Sequence, residues 1–231
     1  MIKNNLTSCT VSNCNPCDCF DKLSQEELDL IKKNEVIVKY KKGEIICKQG
    51  TFASHIMIVQ KGLVKVFIDG NTNTLILRIV PTGGMLGLTS LAENSSILKY
   101  SALAYVDSEI KLIESNTFKD IVSKNASFAL EIINILSANK TQINGRFYCL
   151  TYKQSYGKLA DILICLADNI FKQTEFELSL SRKDLGELSG MSTESVIRML
   201  KKFKDDKIID MKGKTLKIID YPKLQEISEL G

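Results

Sequence analysis

SRKDLGELSGMSTESVIRMLKKF, residues Ser181–Phe203, reads as two short helices broken by a turn. Ser181 supplies an N-cap, and Asp184 three residues on completes a capping box, with Leu185 and Leu188 turned inward. Gly190 stops that helix, because glycine accepts the left-handed backbone that a tight exit needs. Ser192 is the next N-cap. At about 100° per residue, Val196, Met199, Leu200 and Phe203 form one buried stripe. Glu194, Ile197, Arg198 and Lys201 lie opposite, with Thr193 and Ser195 at the edges near the helix start. A helix buried on one side and showing Thr, Glu, Arg and Lys near its N-terminus on the other has the chemistry to read a DNA groove. Ser181, Arg182 and Ser192 join Thr193, Glu194, Ser195, Ile197, Arg198 and Lys201 as candidate DNA-contacting residues. An ordinary helical hairpin with a solvated charged face shares this pattern, so the segment alone leaves both readings open.

The residues beyond Phe203 separate them. Lys207–Met211 and Thr215–Ile219 have the texture of two strands, joined through Lys212-Gly213-Lys214. A helix-turn-helix followed by a basic hairpin is a winged helix. Between Arg182 and Lys217 ten Lys/Arg face six Asp/Glu, a net of +4 that equals the formal charge of the whole chain. The excess of positive charge is local and suits contact with phosphates.

The totals bound the rest. The 231 residues suffice for one large or two ordinary domains, and 44% hydrophobic with 25% charged residues describes a soluble globular chain. No run of about twenty apolar residues could span a membrane. MIKNNLTSC at the start lacks the apolar core of a signal peptide, so the expected location is the cytoplasm. Seven cysteines would be unusual there as disulfides, and four crowd into Cys9, Cys14, Cys17 and Cys19, which points to metal or redox chemistry. His55 is the only histidine. With no nucleophile–base pairing, no Walker loop and no dinucleotide fingerprint, the sequence argues against an enzyme.

Taken in order, Leu23-Ser24-Gln25-Glu26-Glu27-Leu28 gives a capping box with a hydrophobic staple, opening a helix that runs to about Asn34. Short β-branched runs then alternate with glycine turns: Glu35–Tyr40, Glu44–Cys47, His55–Val59, Leu63–Ile68, Thr74–Val80, Ser101–Val106 and Ser108–Ile113. Such spacing predicts a sandwich, barrel or jelly roll. The period next turns helical, with a short helix over Thr117–Val122 and a long one over Asn125–Leu150. Ala129, Ile132, Leu136, Asn139, Ile143, Arg146 and Leu150 fall at heptad a and d positions, so the long helix reads as a dimer seam. Ile133 and Phe147 lie beside it, where they could pack on the sandwich. Tyr152–Gln154 make a hinge, and Ser155 is expected to cap a helix with Leu159, Ile162, Leu163, Leu166 and Ile170 on one face. Cys165 beside that face reads as a small core residue.

In this order and spacing the chain resembles the Crp/Fnr family of bacterial transcription regulators across essentially its full length. The resemblance rests on Lys42-Gly43-Glu44, Gln49-Gly50, Val59–Val66 and Pro81–Gly87 in the strand-rich part. At the DNA end it rests on Ser181–Leu185, Gly190–Ser192 and Glu194–Arg198. It implies an α+β chain: a Cys-rich segment and helix over 1–34, an N-terminal β-roll (a double-stranded β-helix or jelly roll) over 35–122, a long dimerisation helix and hinge over 123–153, and a C-terminal winged helix-turn-helix over 154–231. It also implies a homodimer on an inverted repeat of double-stranded DNA, with RNA polymerase as a protein partner. Thr193, Glu194, Ile197 and Arg198 take the family's base-reading places. Glu194 can accept from a cytosine amine, Arg198 can reach guanine or hold Glu194, and Ile197 can meet a thymine methyl.

Members that bind cyclic nucleotides follow the last roll glycine with a Glu for the ribose and carry an Arg-Ser pair for the phosphate. Here Gly87 is followed by Leu88-Thr89-Ser90-Leu91, and the Arg-Ser place reads Tyr100-Ser101. A buried phosphate without a cation is poorly compensated, so cyclic AMP is not the expected signal. The oxygen- and redox-sensing branches look closer. Their iron–sulfur members pair an N-terminal cysteine cluster with one distant cysteine, whose place, Ser108–Ile113, holds none here, and the C-x4-C-x2-C-x-C spacing differs. Four thiolates still suffice for an iron–sulfur cluster or a zinc ion, with Cys47 as a substitute ligand. Disulfide-type sensing and a cysteine-rich tail without a role stay open beside it. So do two other function classes: a ligand-binding roll whose winged helix holds a protein partner, and a cysteine-based redox enzyme.

Overall fold

The structure, a computed structural model, describes residues 16–70, 74–92 and 97–231, the side chains of 16–18 apart. It divides into two compact units within one long helix, between Ala138 and Asn139. In the N-terminal unit a 3₁₀ turn, Pro16–Lys22, leads into α1 (Gln25–Lys33). Its capping box is formed: Ser24 Oγ accepts from the Glu27 N–H at 3.2 Å, and Glu27 Oε2 accepts from the Ser24 N–H at 2.8 Å. Eight strands come next: β1 (Glu35–Tyr40), β2 (Ile45–Cys47), β3 (His55–Lys61), β4 (Leu63–Asp69), β5 (Thr74–Pro81), β6 (Met85–Leu86), β7 (Ser101–Ala104) and β8 (Ser108–Glu114). They form two antiparallel four-stranded sheets, in the orders β1-β8-β3-β6 and β2-β7-β4-β5. β6, two residues long, is too short to carry a periodic signal in the sequence.

β3 shows why the roll holds together. Alternate side chains of a strand point to opposite faces. Met57 and Val59 therefore join Val64, Val66, Val80, Ala102 and Ile110 in one buried cluster. Ile56 and Ile58 join Ile31, Phe118, Ile121 and Phe128 in another, which the helices supply. Each such side chain contributes about 1.5–3 kcal/mol on burial. The helices are α1, α2 (Ser115–Lys124) and the first half of α3 (Ala126–Tyr152).

The C-terminal unit continues from α3 into α4 (Ser155–Cys165), a π turn (Leu166–Phe171), β9 (Glu175–Glu177), α5 (Arg182–Ser189), α6 (Thr193–Asp205), β10 (Ile209–Lys212), β11 (Thr215–Ile218) and α7 (Tyr221–Leu230). Ser155 is the first helical residue of α4 and not its cap. Gln154 takes the cap position in extended backbone, without a side-chain bond. Leu159, Ile162, Leu163 and Leu166 are buried as the spacing predicts. Between α3 and α4, Lys153 Nζ donates to Asp161 Oδ1 at 2.8 Å and to Ser228 Oγ at 2.9 Å. The Ser228 hydroxyl donates in turn to the same carboxylate oxygen at 3.0 Å, so a buried ion pair ties the hinge to α4 and α7.

α3 corrects the heptad reading. Ile132 is 2% exposed and packs with Phe128 and Ile135 inside the N-terminal unit's own core. Arg146 points inward too, donating to the Leu188 carbonyl. Ile133, Ile143 and Phe147 are instead 56%, 55% and 69% exposed, with Leu136 partly so, and Ile133 joins no core of the sandwich. Leu136 and Ile143, a positions of the predicted seam, therefore keep their place on the exposed face. The predicted d positions, Ile132, Asn139 and Arg146, give way to Ile133, Lys140 and Phe147, one residue along. One residue is about 100° of helix, which is the difference between core and solvent.

Candidate nucleic-acid interface

α5 and α6 form the helix-turn-helix from local signals. Ser181 Oγ accepts from the Asp184 N–H at 3.1 Å, while the Asp184 carboxylate accepts from the Ser181 N–H at 2.9 Å and from its hydroxyl at 2.7 Å. Gly190 closes α5 in left-handed backbone, φ 64°, as a tight exit requires. Ser192 Oγ accepts from the Ser195 N–H at 3.2 Å and starts α6. Val196, Met199, Leu200 and Phe203 are all buried, and Tyr156 stands edge-on to Phe203 with ring centroids 5.8 Å apart.

The opposite face of α6 is solvent-exposed at Glu194, Ile197, Arg198 and Lys201, and half-buried at Thr193. Ile197 is 51% exposed, which leaves an isoleucine side chain facing outward beside two cations. The Glu194 carboxyl is held below the usual carboxylate range by its own backbone N–H and by the Ser192 hydroxyl. It is thus an ionised acceptor at a helix N-terminus, fit to receive an amine hydrogen. Ser181, Ser192 and Ser195 are occupied differently, since the first two cap their helices and the Ser192 hydroxyl donates to Ser195 Oγ at 3.1 Å. Arg182 is half-buried, with Nη2 3.5 Å from Met211 Sδ, and burial lowers its pKa. In this conformation it braces β10.

β10 and β11 make the wing, paired from Ile209↔Ile218 to Lys212↔Thr215, with Gly213 in left-handed backbone at the tip. β9 adds a third strand, its Phe176 opposite Leu216. The positive charge is more divided than the count suggests. Lys217 pairs with Glu175 at 2.8 Å, Lys204 with Asp210 at 3.3 Å and Lys183 with Glu187 at 3.8 Å. Lys204 Nζ also donates to the Met211 carbonyl at 3.0 Å, fastening the end of α6 to the wing. Lys202 lies over the Tyr156 ring, 5.2 Å from its centroid. Lys212 and Lys214 at the wing tip are exposed, as are Arg198 and Lys201 on α6. β9 and α7 carry no sequence expectation: β9 is three residues with one apolar side chain, and α7 buries only Leu224 and Ser228.

In the roll, Tyr100 is turned inward. Its hydroxyl accepts from the Gly87 N–H at 2.7 Å, and burial raises its pKa. Arg78 Nη2 donates to the Met85 carbonyl at 2.8 Å, and Leu88 is buried directly after Gly87. A side chain at Gly87 (φ 85°) would stand 2.7 Å from the His55 carbonyl, so only glycine fits there.

The cysteine cluster falls mostly outside the described residues, which include neither Cys9, Cys14 nor the Cys17 side chain. Cys19 is described. It is 2% exposed in an apolar cluster with Leu23, Ile31, Phe118 and Phe128. Cys47 is half-buried, and burial pushes its thiol up to about 11. Among the described residues no three His, Cys, Asp or Glu side chains converge on a common point as metal ligands.

With this geometry in place, comparison with known proteins is direct. The Crp-like helix-turn-helix domain matches residues 157–227, and the cyclic nucleotide-binding domain matches residues 37–125. The chain belongs to the Crp/Fnr family. It is a DNA-binding transcription regulator of that type. It is 24% identical over 184 residues to the cAMP-activated global transcriptional regulator CRP of Salmonella typhimurium, covering 78% of this chain and 88% of the relative. It is 23% identical over 214 residues to the fumarate and nitrate reduction regulatory protein of Vibrio cholerae, covering 89% and 84%. In fold it is similar to FixK2 from Bradyrhizobium japonicum, with a TM-score of 0.77 at 17% identity over 84% of this chain and 96% of that one. A CooA mutant from Carboxydothermus hydrogenoformans gives a TM-score of 0.75 at 20% identity, covering 96% and 99%. These matches do not favour the reading in which the winged helix holds a protein partner. Among the described residues no helix is long and apolar enough to cross a membrane.

Proposed function

We propose that the protein is a homodimeric regulator that reads an inverted repeat of double-stranded DNA through α6, and that cyclic AMP is not its signal. The observation that carries this reading is the outward face of α6, where Glu194, Ile197, Arg198 and Lys201 stand exposed beside the wing. Arg198 would read guanine O6/N7, Glu194 a cytosine amine and Ile197 a thymine methyl. Thr193 would join them at the edge of the reading face, and Lys201 would meet phosphate. Two copies of α6 on one face of a duplex require half-sites about 34–36 Å apart, one helical turn. The exposed heptad of α3, Ile133, Leu136, Lys140, Ile143 and Phe147, supports the dimer. Selection from a random duplex pool should return a two-fold symmetric site. Recovery of only non-specific, salt-sensitive binding contradicts the reading.

Two residues support the exclusion of cyclic AMP. Leu88 stands where nucleotide-binding members carry a Glu, and Tyr100, its hydroxyl engaged by Gly87, stands at the Arg. Calorimetry should find no binding of cyclic AMP at micromolar concentration; such binding with stimulated DNA affinity overturns this. The signal then enters through the N-terminal thiols or through another small molecule in the roll. A Cys9→Ser/Cys14→Ser/Cys17→Ser protein separates these: DNA affinity that no longer responds to oxygen supports the thiols, and an unchanged response excludes them. RNA polymerase is the proposed protein partner and the cytoplasm the proposed location.

A further inference from the structure

We infer that Arg146 of α3 is a positioning residue for the helix-turn-helix, holding the C-terminal end of α5 so that the turn into α6 is set by α3. The last carbonyls of a helix have no partner within it, and together they carry partial negative charge. α5 resolves this in three ways. The Gly186 carbonyl receives the N–H groups of Gly190 and Met191. The Ser189 hydroxyl folds back on the Leu185 carbonyl at 2.7 Å. The Leu188 carbonyl receives the Arg146 guanidinium, forty-two positions away in sequence. One turn further along α3, Leu150 covers the turn itself: a Cβ added at Gly190 would lie 3.5 Å from Leu150 Cδ2. A cation at the end of α5 and an apolar side chain over Gly190 both come from α3. One holds Leu188 and the other lies over Gly190, so both act where α5 ends and the turn into α6 begins.

A guanidinium suits this place because it is always charged and hydrogen-bonds in a fixed plane, so it fixes direction as well as charge. Arg146 is a neighbour of Phe147 on the same helix, turned about 100° from it toward α5. Repacking of the exposed face of α3 would therefore rotate or shift the guanidinium that holds α5. Since the inference rests on DNA reading by α6, its test begins from wild-type protein that binds a selected site. If wild type finds no such site, DNA reading by α6 fails and not the role of Arg146.

The test compares Arg146→Met, Arg146→Gln and Arg146→Lys with wild type on the selected site and on unrelated duplex, by fluorescence anisotropy across salt. Loss of one charged hydrogen bond should lower specific affinity about tenfold in Arg146→Met, with non-specific affinity and the salt slope unchanged. Amide exchange at Gly190 and Met191 should quicken in the same variant. Arg146→Lys, which keeps the cation, should recover part of the loss, and Arg146→Gln less. Should Arg146→Met not fold, the order wild type, Lys, Gln carries the comparison alone. Equal specific affinity in all the folded variants overturns the proposal. So does an equal loss on both duplexes with a shallower salt slope, because Arg146 would then be a phosphate contact.

Discussion

α6 and α3 are both two-faced helices, and they use their faces differently. α6, 13 residues long, has one apolar stripe buried under Tyr156 and the wing, and its other face is left for a ligand. α3, 27 residues long, has two apolar stripes about 100° apart: Phe128, Ile132 and Ile135 in a core, and Ile133, Leu136, Ile143 and Phe147 in solvent. A helix with one stripe is fixed by its own unit and can serve as a reader. A helix with two is a joint, because its second stripe awaits another surface.

The largest effects are expected where a buried stripe is emptied. Phe203→Ala in α6 should cost about 3–5 kcal/mol and Ile132→Ala in α3 about 2–5 kcal/mol, read from urea denaturation. A change of under about 0.5 kcal/mol at Ile132 would return it to the exposed seam. At the far end of α3, Lys153→Met leaves the Asp161 carboxylate buried without its cation and should cost about 3–5 kcal/mol. Adding Asp161→Leu should recover most of that, because an apolar pair of similar volume replaces a buried ion pair at little cost. The exposed stripe should behave in the opposite way. Ile133→Glu with Phe147→Glu should give monomers by light scattering at micromolar concentration, with the denaturation midpoint little moved. An unchanged dimer mass rejects this face. The smallest effect concerns the thiols. Burial pushes Cys165, like Cys47, up to about 11. At pH 8 each is therefore almost wholly protonated and should resist alkylation in the native protein, as peptide mapping would show. Rapid native labelling of either would mean that its surroundings open.

The same contrast explains what was legible in the sequence. Seven of the eight roll strands and the helix-turn-helix arise from near-neighbour chemistry: alternation along β3, capping boxes at Ser24 and Ser181, glycine at position 190. These signals sit within a few residues of what they control. Which residues of α3 complete the seam beside Leu136 and Ile143 was not legible, because Ile132 and Ile133 are adjacent, equally apolar, and told apart only by the helices and strands packed against one of them. Nor was the use of Arg182 on Met211, of Arg146 on Leu188, or of Cys19 as a core residue, since each partner lies far along the chain or in a cluster with no periodic mark. β9 and α7 were missed for want of an apolar stripe. The division of α6 into a buried and an exposed face was legible, residue by residue, from period alone.

Base reading by α6 is tested most directly by comparing wild type, Arg198→Ala and Lys201→Ala on the selected inverted repeat and on repeats changed at one base pair, across salt concentration. Arg198→Ala should cost about 1–3 kcal/mol of binding and abolish preference at a single guanine, while Lys201→Ala should weaken all sequences alike and reduce the salt slope by about 1. If Arg198→Ala binds the selected site as tightly as wild type and with the same base preferences, α6 does not read DNA through this face.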